Sequence, residues 1–404
     1  MPKKTKKKDL KEIKKEKKRF NLNKSLIVLY ILCFFIALAS ALPTYINSNF
    51  LSNFVSLQTI SLFFVIANIF SLLLILFFPK IVKTIKDSSV FKFLLIFYTL
   101  SLFFFSTANS AWQGLLGLIF FVVFSSLLFI KLDLYLEKFT DNFTTGRVRT
   151  IYFTFYNLGL FLAPSISGLL VDNYNYSFVY WVAGLIVIPA LIFFAINEKF
   201  IEKKIEYKKD GVIKEFKRLI NNFDLRGVFV IAFILQLFYS TAVVYIPVYL
   251  HQYLGFGWEA LGPIFSLMLL PFILIEIPAG NLADKYFGEK EMLIIGLLIM
   301  SLSLFLFYYV SIPILWIWAI ILFLSRIGAA LIEAMRESYF FKLVDAEDID
   351  MINLFRITRP LAFILGPLIG ILIITFLPIQ YLFLIMAFIT LMSLAFVLPM
   401  KDTK

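Results

Sequence analysis

Twelve continuously apolar stretches, each roughly 18–25 residues long, leave this chain almost no choice of architecture. They fall near residues 25–46, 53–78, 90–108, 112–131, 151–171, 177–196, 227–250, 259–279, 291–310, 313–337, 352–376 and 379–398. A run of that length, wound as a helix, crosses a hydrocarbon core about 30 Å thick. Lipid offers no hydrogen bonds to the backbone, so only helices and closed barrels can span it. Barrel strands alternate apolar and polar residues over short segments, and these runs do not. With 61% hydrophobic residues, the chain also carries more apolar surface than a soluble domain, at about 45–50%, can bury. The first run is long for a signal peptide and has no evident small-residue cleavage site, so it is expected to stay as a span.

The placement of charge orients these spans. A net charge of +12 could suggest nucleic acid as a partner, but much of it sits in Lys3–Lys24, just before the first span. The loops after spans 1, 3, 5, 7, 9 and 11 contain no Lys or Arg. Those after spans 2, 4, 6, 8 and 10 carry them, at Lys80–Lys86, Lys138–Arg149, Lys199–Arg226, Lys285–Lys290 and Lys342. Both termini are therefore expected in the cytoplasm of a multi-pass plasma-membrane protein. The lysine-rich tail is expected as a disordered segment or short helix resting on anionic lipid. Residues 1–24 then form a basic tail and 25–197 a first six-helix bundle, followed by a polar linker at 198–226. Residues 227–398 form a second bundle and 399–404 a short tail. Cys33 is the only cysteine and rules out an internal disulfide.

Features recur at a separation of about 200 residues, as two copies of one six-span unit require. Ala163-Pro164 to Gly168 in span 5 matches Gly366-Pro367 to Gly370 in span 11. Asp133 and Glu137 at the end of span 4 match Glu333 and Glu337 at the end of span 10. The polar break Gly280–Lys290 after span 8 holds Gly280, Asp284, Lys285, Gly288 and Lys290 in a tight turn. Pro79–Asp87 occupies the corresponding place in the first half, with Ile85 in the acidic slot. Gly280, Asp284, Lys285, Gly288 and Lys290 resemble the inter-helix signature of the major facilitator superfamily. The second glycine stands one place late, and Glu289 replaces a common base. The resemblance extends over nearly the whole chain after residue 24. It implies an all-α membrane protein of twelve transmembrane helices in two pseudo-symmetric six-helix bundles, with cargo bound between them near the midplane.

The same resemblance implies a conformational latch on the cytoplasmic side. Asp284 would accept hydrogen bonds from the N–H groups that start span 11, with Arg336, Arg356 and Arg359 completing a charge network. Gly159, Pro164 and Gly168 resemble a span 5 motif associated with antiporters, with Ala163 and Ser167 in place of two glycines. Simple close packing explains the same residues, together with Gly366, Pro367 and Gly370. Arg326, near the middle of span 10, is the most expensive residue in the chain, costing about 2.5–3.5 kcal/mol or more at that depth. It can serve cargo, coupling or an inter-helix bond, and it is separated from Glu333 by roughly 10 Å along the helix. Glu333 can instead meet Arg336 at i+3.

Glu333 is the first candidate for proton coupling, followed by Glu337, Asp133 and Glu276, since a carboxylate in low dielectric can bind a proton near neutral pH. Asn68, Asn157, Gln236, Tyr239 and Tyr245, with Gln58, are the polar side chains within spans that could frame a cargo pocket with Arg326; each serves equally as an inter-helix hydrogen bond. His251 is the lone histidine, so neither a metal site nor a cofactor is expected. The expected function is secondary active transport of a small solute by alternating access, as proton-coupled export of a drug or metabolite. The alternative is a sugar or nucleoside uptake permease. A membrane-embedded lipid-modifying enzyme is remote, since no clustered catalytic groups lie in the outer loops. No phosphate-binding Gly-rich loop followed by Lys and Ser or Thr is present. The expected partners are therefore a small-molecule substrate, protons and lipid, with no nucleic acid, around a monomer.

Overall fold

A computed structural model describes residues 3–84, 87–139, 145–201, 212–344 and 349–401. Among them the secondary structure is wholly helical, and twelve helices are long and apolar enough to cross a membrane. Span 1 is Lys24–Thr44, span 2 Leu57–Phe77, span 3 Ser88–Ser106, span 4 Ala111–Leu136, span 5 Ile151–Asn173 and span 6 Tyr176–Phe200. Span 7 is Phe223–Tyr253, span 8 Trp258–Gly280, span 9 Glu289–Tyr309, span 10 Leu315–Leu343, span 11 Asp350–Phe376 and span 12 Gln380–Val397. An even number of crossings puts both chain ends at one face, called here the termini face.

The spans pack as two like units. In the first, span 5 lies on span 1, span 3 on spans 4 and 6, and span 2 on span 4. In the second, span 11 lies on span 7, span 9 on spans 10 and 12, and span 8 on span 10. Between the units, span 5 crosses span 8 and span 2 crosses span 11. Small residues inside spans 5 and 11 make the close packing within each unit possible. A Cβ at Gly159 would come within 2.8 Å of the Leu38 backbone in span 1, and one at Gly366 would strike Ser240 in span 7. The paired six-helix arrangement of the sequence is thus the arrangement of the fold.

Several boundaries differ from the hydropathy limits. The helix that carries span 1 starts at Lys3 and runs unbroken to Thr44, so the basic tail is neither coil nor a short separate helix. Lysine and glutamate are good helix formers, and a membrane-anchored span nucleates the turns that precede it. Span 7 begins at Phe223, four residues before the apolar run, because Asn222 caps it by accepting from the Leu225 N–H at 3.2 Å. A short helix, Val212–Asn221, precedes that cap and rests on spans 7 and 11. Its Phe216 and Ile220 are exposed, while Glu215 turns inward and pairs with Arg218 at 3.4 Å.

The polar break after span 8 is a wide π-helical turn, Ala283–Phe287, ended by Gly288 at φ 96°. That backbone angle is costly for any residue with a Cβ, so Gly288 is dictated by the turn. Gly280 has open space where its Cβ would be, so no close neighbour demands glycine there in this state. Lys285 is exposed, Lys290 is partly buried, and the side chain of Asp284 lies outside the described residues. So do Ile85 and the side chains of Glu137 and of the first-half loop Pro79–Asp87.

Candidate functional site

Contacts between the two units are unlike at the two faces. At the face opposite the termini they form a dry seal. A Cβ on Gly168 would stand 2.6 Å from the Trp258 carbonyl oxygen and 2.9 Å from the Cα of Gly262. A Cβ on Gly262 would stand 2.8 Å from the Pro164 carbonyl oxygen, so the two backbones touch. Two hydrogen bonds follow the crossing: Ser165 Oγ donates to Ser266 Oγ at 2.7 Å, and the Ser165 N–H to the same atom at 3.0 Å. Tyr245 closes the second crossing, its hydroxyl lying between Ser61 at 2.7 Å and the Pro367 carbonyl at 3.2 Å, over Gly370. Gln252 reaches Asn49 and Ser52 at 3.2 and 2.7 Å. Trp258 Nε1 donates to the Tyr176 hydroxyl at 2.7 Å, beside His251 at 3.5 Å. Gln58 lines a recess at this face with Ser52, Gln252 and Pro378.

Toward the termini face the described contacts between the units are polar. Asp133 on span 4 meets Arg356 on span 11 at 3.6 Å, with the two side chains 35% and 26% exposed. Arg149 lies over the Phe341 ring at 5.2 Å, and Arg359 is within hydrogen-bonding reach of Tyr156. Charged side chains gather on the same side of the seal as these contacts.

The charged side chains gather at the junction of spans 7, 8 and 10. Tyr239 donates its hydroxyl to Glu333 Oε2 at 2.6 Å, the length of a charge-assisted bond. Arg336, one helical turn on, faces Glu333 Oε1 at 3.5 Å and Glu337 at 3.6 Å. Glu276, on span 8, is close enough to feel the charges of both glutamates. Phe272, one turn earlier on span 8, packs its ring 6.2 Å from that of Tyr239, and Phe355 stacks beneath Arg336 at 5.4 Å. Arg336 is buried, whereas Glu333 and Glu337 are 33% and 39% exposed. The arrangement is a cation held between two carboxylates that water can reach, with a third acid nearby. Such a group can trade partners without charge being stranded.

The sequence-selected residues thus divide. Glu276, Glu333, Arg336, Glu337 and Tyr239 come together, with Arg356 and Arg149 close enough to act on Glu337. Asp133 and Arg356 meet between the units, and Arg359 is exposed. Tyr245 belongs to the seal. Asn68 turns back to the Phe64 carbonyl of its own helix at 2.8 Å. Gln236 is buried, and Asn157 is half exposed. Arg326 lies at 4.9 Å over the Phe238 ring, with no ion pair among the described residues.

Two features escaped the sequence reading. Lys131 on span 4 is fully buried, its ammonium 4.9 Å from the Tyr135 ring. A lysine two residues before Asp133 inside an apolar run was the available signal. Glu289 is also buried; it is paired with Lys342 at the end of span 10 and accepts from Ser338 Oγ at 2.9 Å. The residue that departs from the loop signature thereby clips the loop to span 10. Lys342→Ala removes one partner of that carboxylate and is expected to cost about 1 kcal/mol, discounted because the lysine is partly exposed. Thermal unfolding of the purified variant checks this, and a melting temperature equal to the parent's removes the clip.

The sequence model of the Major Facilitator Superfamily matches residues 25–275 and 259–404. A bacterial homologue of the human lysosomal transporter Spinster, solved inward-facing and unoccupied, superposes with a TM-score of 0.72 at 10% identity, covering 93% of this chain and 96% of that one. The peptide transporter POT in complex with sulfate superposes with a TM-score of 0.71 at 14% identity, covering 93% of each chain. Both likenesses are of fold. No curated protein matches the sequence.

Proposed function

This chain belongs to the Major Facilitator Superfamily and is a secondary transporter, and we propose that it exports a small, partly apolar solute in exchange for protons. The observation that carries the reading is the unlike pair of faces. One is sealed by backbone on backbone at Gly168 and Gly262, and the other is bridged by partly exposed ion pairs. If the termini face is cytoplasmic, as the loop charges argue, this state is open to the cytoplasm. Rocking the units would break the glycine seal and draw the termini-face ends closer around Asp133–Arg356. Glu333 carries the proton, and Arg336 moves between Glu333 and Glu337 as it binds and leaves. The aromatic wall of Phe238, Tyr239 and Phe272 suits an apolar body on the cargo. The span 5 glycine and proline pattern favours exchange over uptake.

Spin labels at Asn173 and Glu259, both exposed at the sealed face, and at Lys199 and Lys285 near the termini face test the rocking motion in a Cys33→Ser background. Two populations are expected for each pair, and acid buffer should lengthen one distance while it shortens the other. Single distances that do not change with pH would exclude alternating access driven by protons.

A further inference from the structure

Among the described residues, Arg326 is a cation without a counter-charge. Its side chain is 1% exposed, near the middle of span 10, and Nη1 is buried with no hydrogen-bond partner. No acid pairs with it among the described residues, and its one directed contact is the Phe238 ring. A cation–π contact contributes about 2 kcal/mol when desolvated, which does not offset the several kcal/mol of an ion withdrawn from water. Two turns further along the same stripe stands Glu333, roughly 10 Å away by helical rise. Its two oxygens are already taken by Tyr239 and Arg336, and Glu337 also serves Arg336. The local acids therefore neutralise the wrong arginine, and the deeper one stays positive.

We propose that the missing counter-charge arrives with the cargo: Arg326 binds a carboxylate on the transported solute. The inference rests on the transport reading above and specifies its substrate class. A guanidinium presents a planar fork of N–H donors that matches a carboxylate in two parallel bonds. A single arginine in so enclosed a place balances one negative charge, and a doubly charged phosphate would leave the excess buried. Phe238 beneath the guanidinium, with Tyr239 and Phe272 beside it, receives an aromatic or aliphatic body attached to that carboxylate. The solvent-touched end of the stripe at Glu337 and Glu333 is the way in. Nη1, buried with no hydrogen-bond partner among the described residues, is the donor left for the arriving anion.

The test uses the purified full-length protein with benzoate and its neutral isostere benzamide as probes, read by thermal unfolding. Benzoate at about ten times its dissociation constant is expected to raise the melting temperature by about 1.5–2 °C, and benzamide is expected not to. Arg326→Gln should abolish the benzoate response, and Arg326→Lys, which keeps the charge but loses the fork, should weaken it. Without any anion, Arg326→Gln should be at least as stable as the parent, since it removes an unpaired buried charge. Lower stability of that variant would instead make Arg326 a structural inter-helix bond. The proposal falls if benzoate and benzamide act alike, if neither acts on the parent, or if Arg326→Gln keeps the response. The spin-label distances report separately on transport: static distances with an intact benzoate response would sink the transport reading and spare the anion site.

Discussion

Gly262→Val is expected to empty the closed form of the seal. The Cβ alone would stand 2.8 Å from the Pro164 carbonyl oxygen and 3.1 Å from the Cα of Gly168, and both are backbone atoms. Neither can rotate aside, so two helices must separate along their crossing. Overpacking on this scale costs about 3 kcal/mol or more, and it falls on one state only, since the crossing exists only while the seal is shut. A shift of that size changes the ratio of the two states by about a hundredfold. The Asn173–Glu259 distance should therefore collapse to its long population in Gly262→Val and move part of the way in Gly262→Ala. Gly168→Val should do the same, because its Cβ meets Trp258 and Gly262 from the other side. Glycine at position 280, with nothing near its Cβ, provides the contrast: Gly280→Ala should leave the distance unchanged. A parent-like short distance in Gly262→Val would show that the seal is not where the state is decided.

Glu333→Gln is expected to uncouple the conformational equilibrium from protons. The parent carboxylate holds Tyr239 at 2.6 Å and Arg336 at 3.5 Å, and a bond to a charged acceptor contributes about 1.5–3 kcal/mol. Without a charge at position 333, Arg336 loses that attraction and turns wholly to Glu337, so the junction of spans 7, 8 and 10 loosens. Glutamine imitates the protonated form permanently. Its distance distributions should match those of the parent in acid and stay there in neutral buffer, displaced roughly ten- to a hundredfold in population. Tyr239→Phe, which removes the hydroxyl but keeps the carboxylate, should retain a pH response of reduced size. A full pH response in Glu333→Gln would move the coupling role to Glu276 or Glu337.

Some of the junction was legible because it lies within one helix. Glu333, Arg336 and Glu337 are spaced so that α-helical geometry brings them together whatever surrounds the helix. The depth of Arg326 was legible for the same reason, since span limits and rise per residue fix it. The partner of Glu333 was not, because Tyr239 lies 94 residues earlier and only the packing of span 7 on span 10 selects its hydroxyl. Tyr245 shows the converse. As a polar residue within a span it was a pocket candidate, yet the approach of spans 2 and 11 turns it into a bond of the seal.

What the sequence by itself determined is the number of crossings, the internal repeat and the family. Each of these follows from local physics: a helix must be apolar for about 30 Å of hydrocarbon, and its backbone must satisfy itself. What only the tertiary structure decided is which unit touches which, where the contact is dry and where it is ionic, and which buried arginine keeps its acid. Those outcomes depend on the close approach of segments such as Gly168 and Gly262, far apart in sequence, where a single methyl group decides whether two backbones can meet.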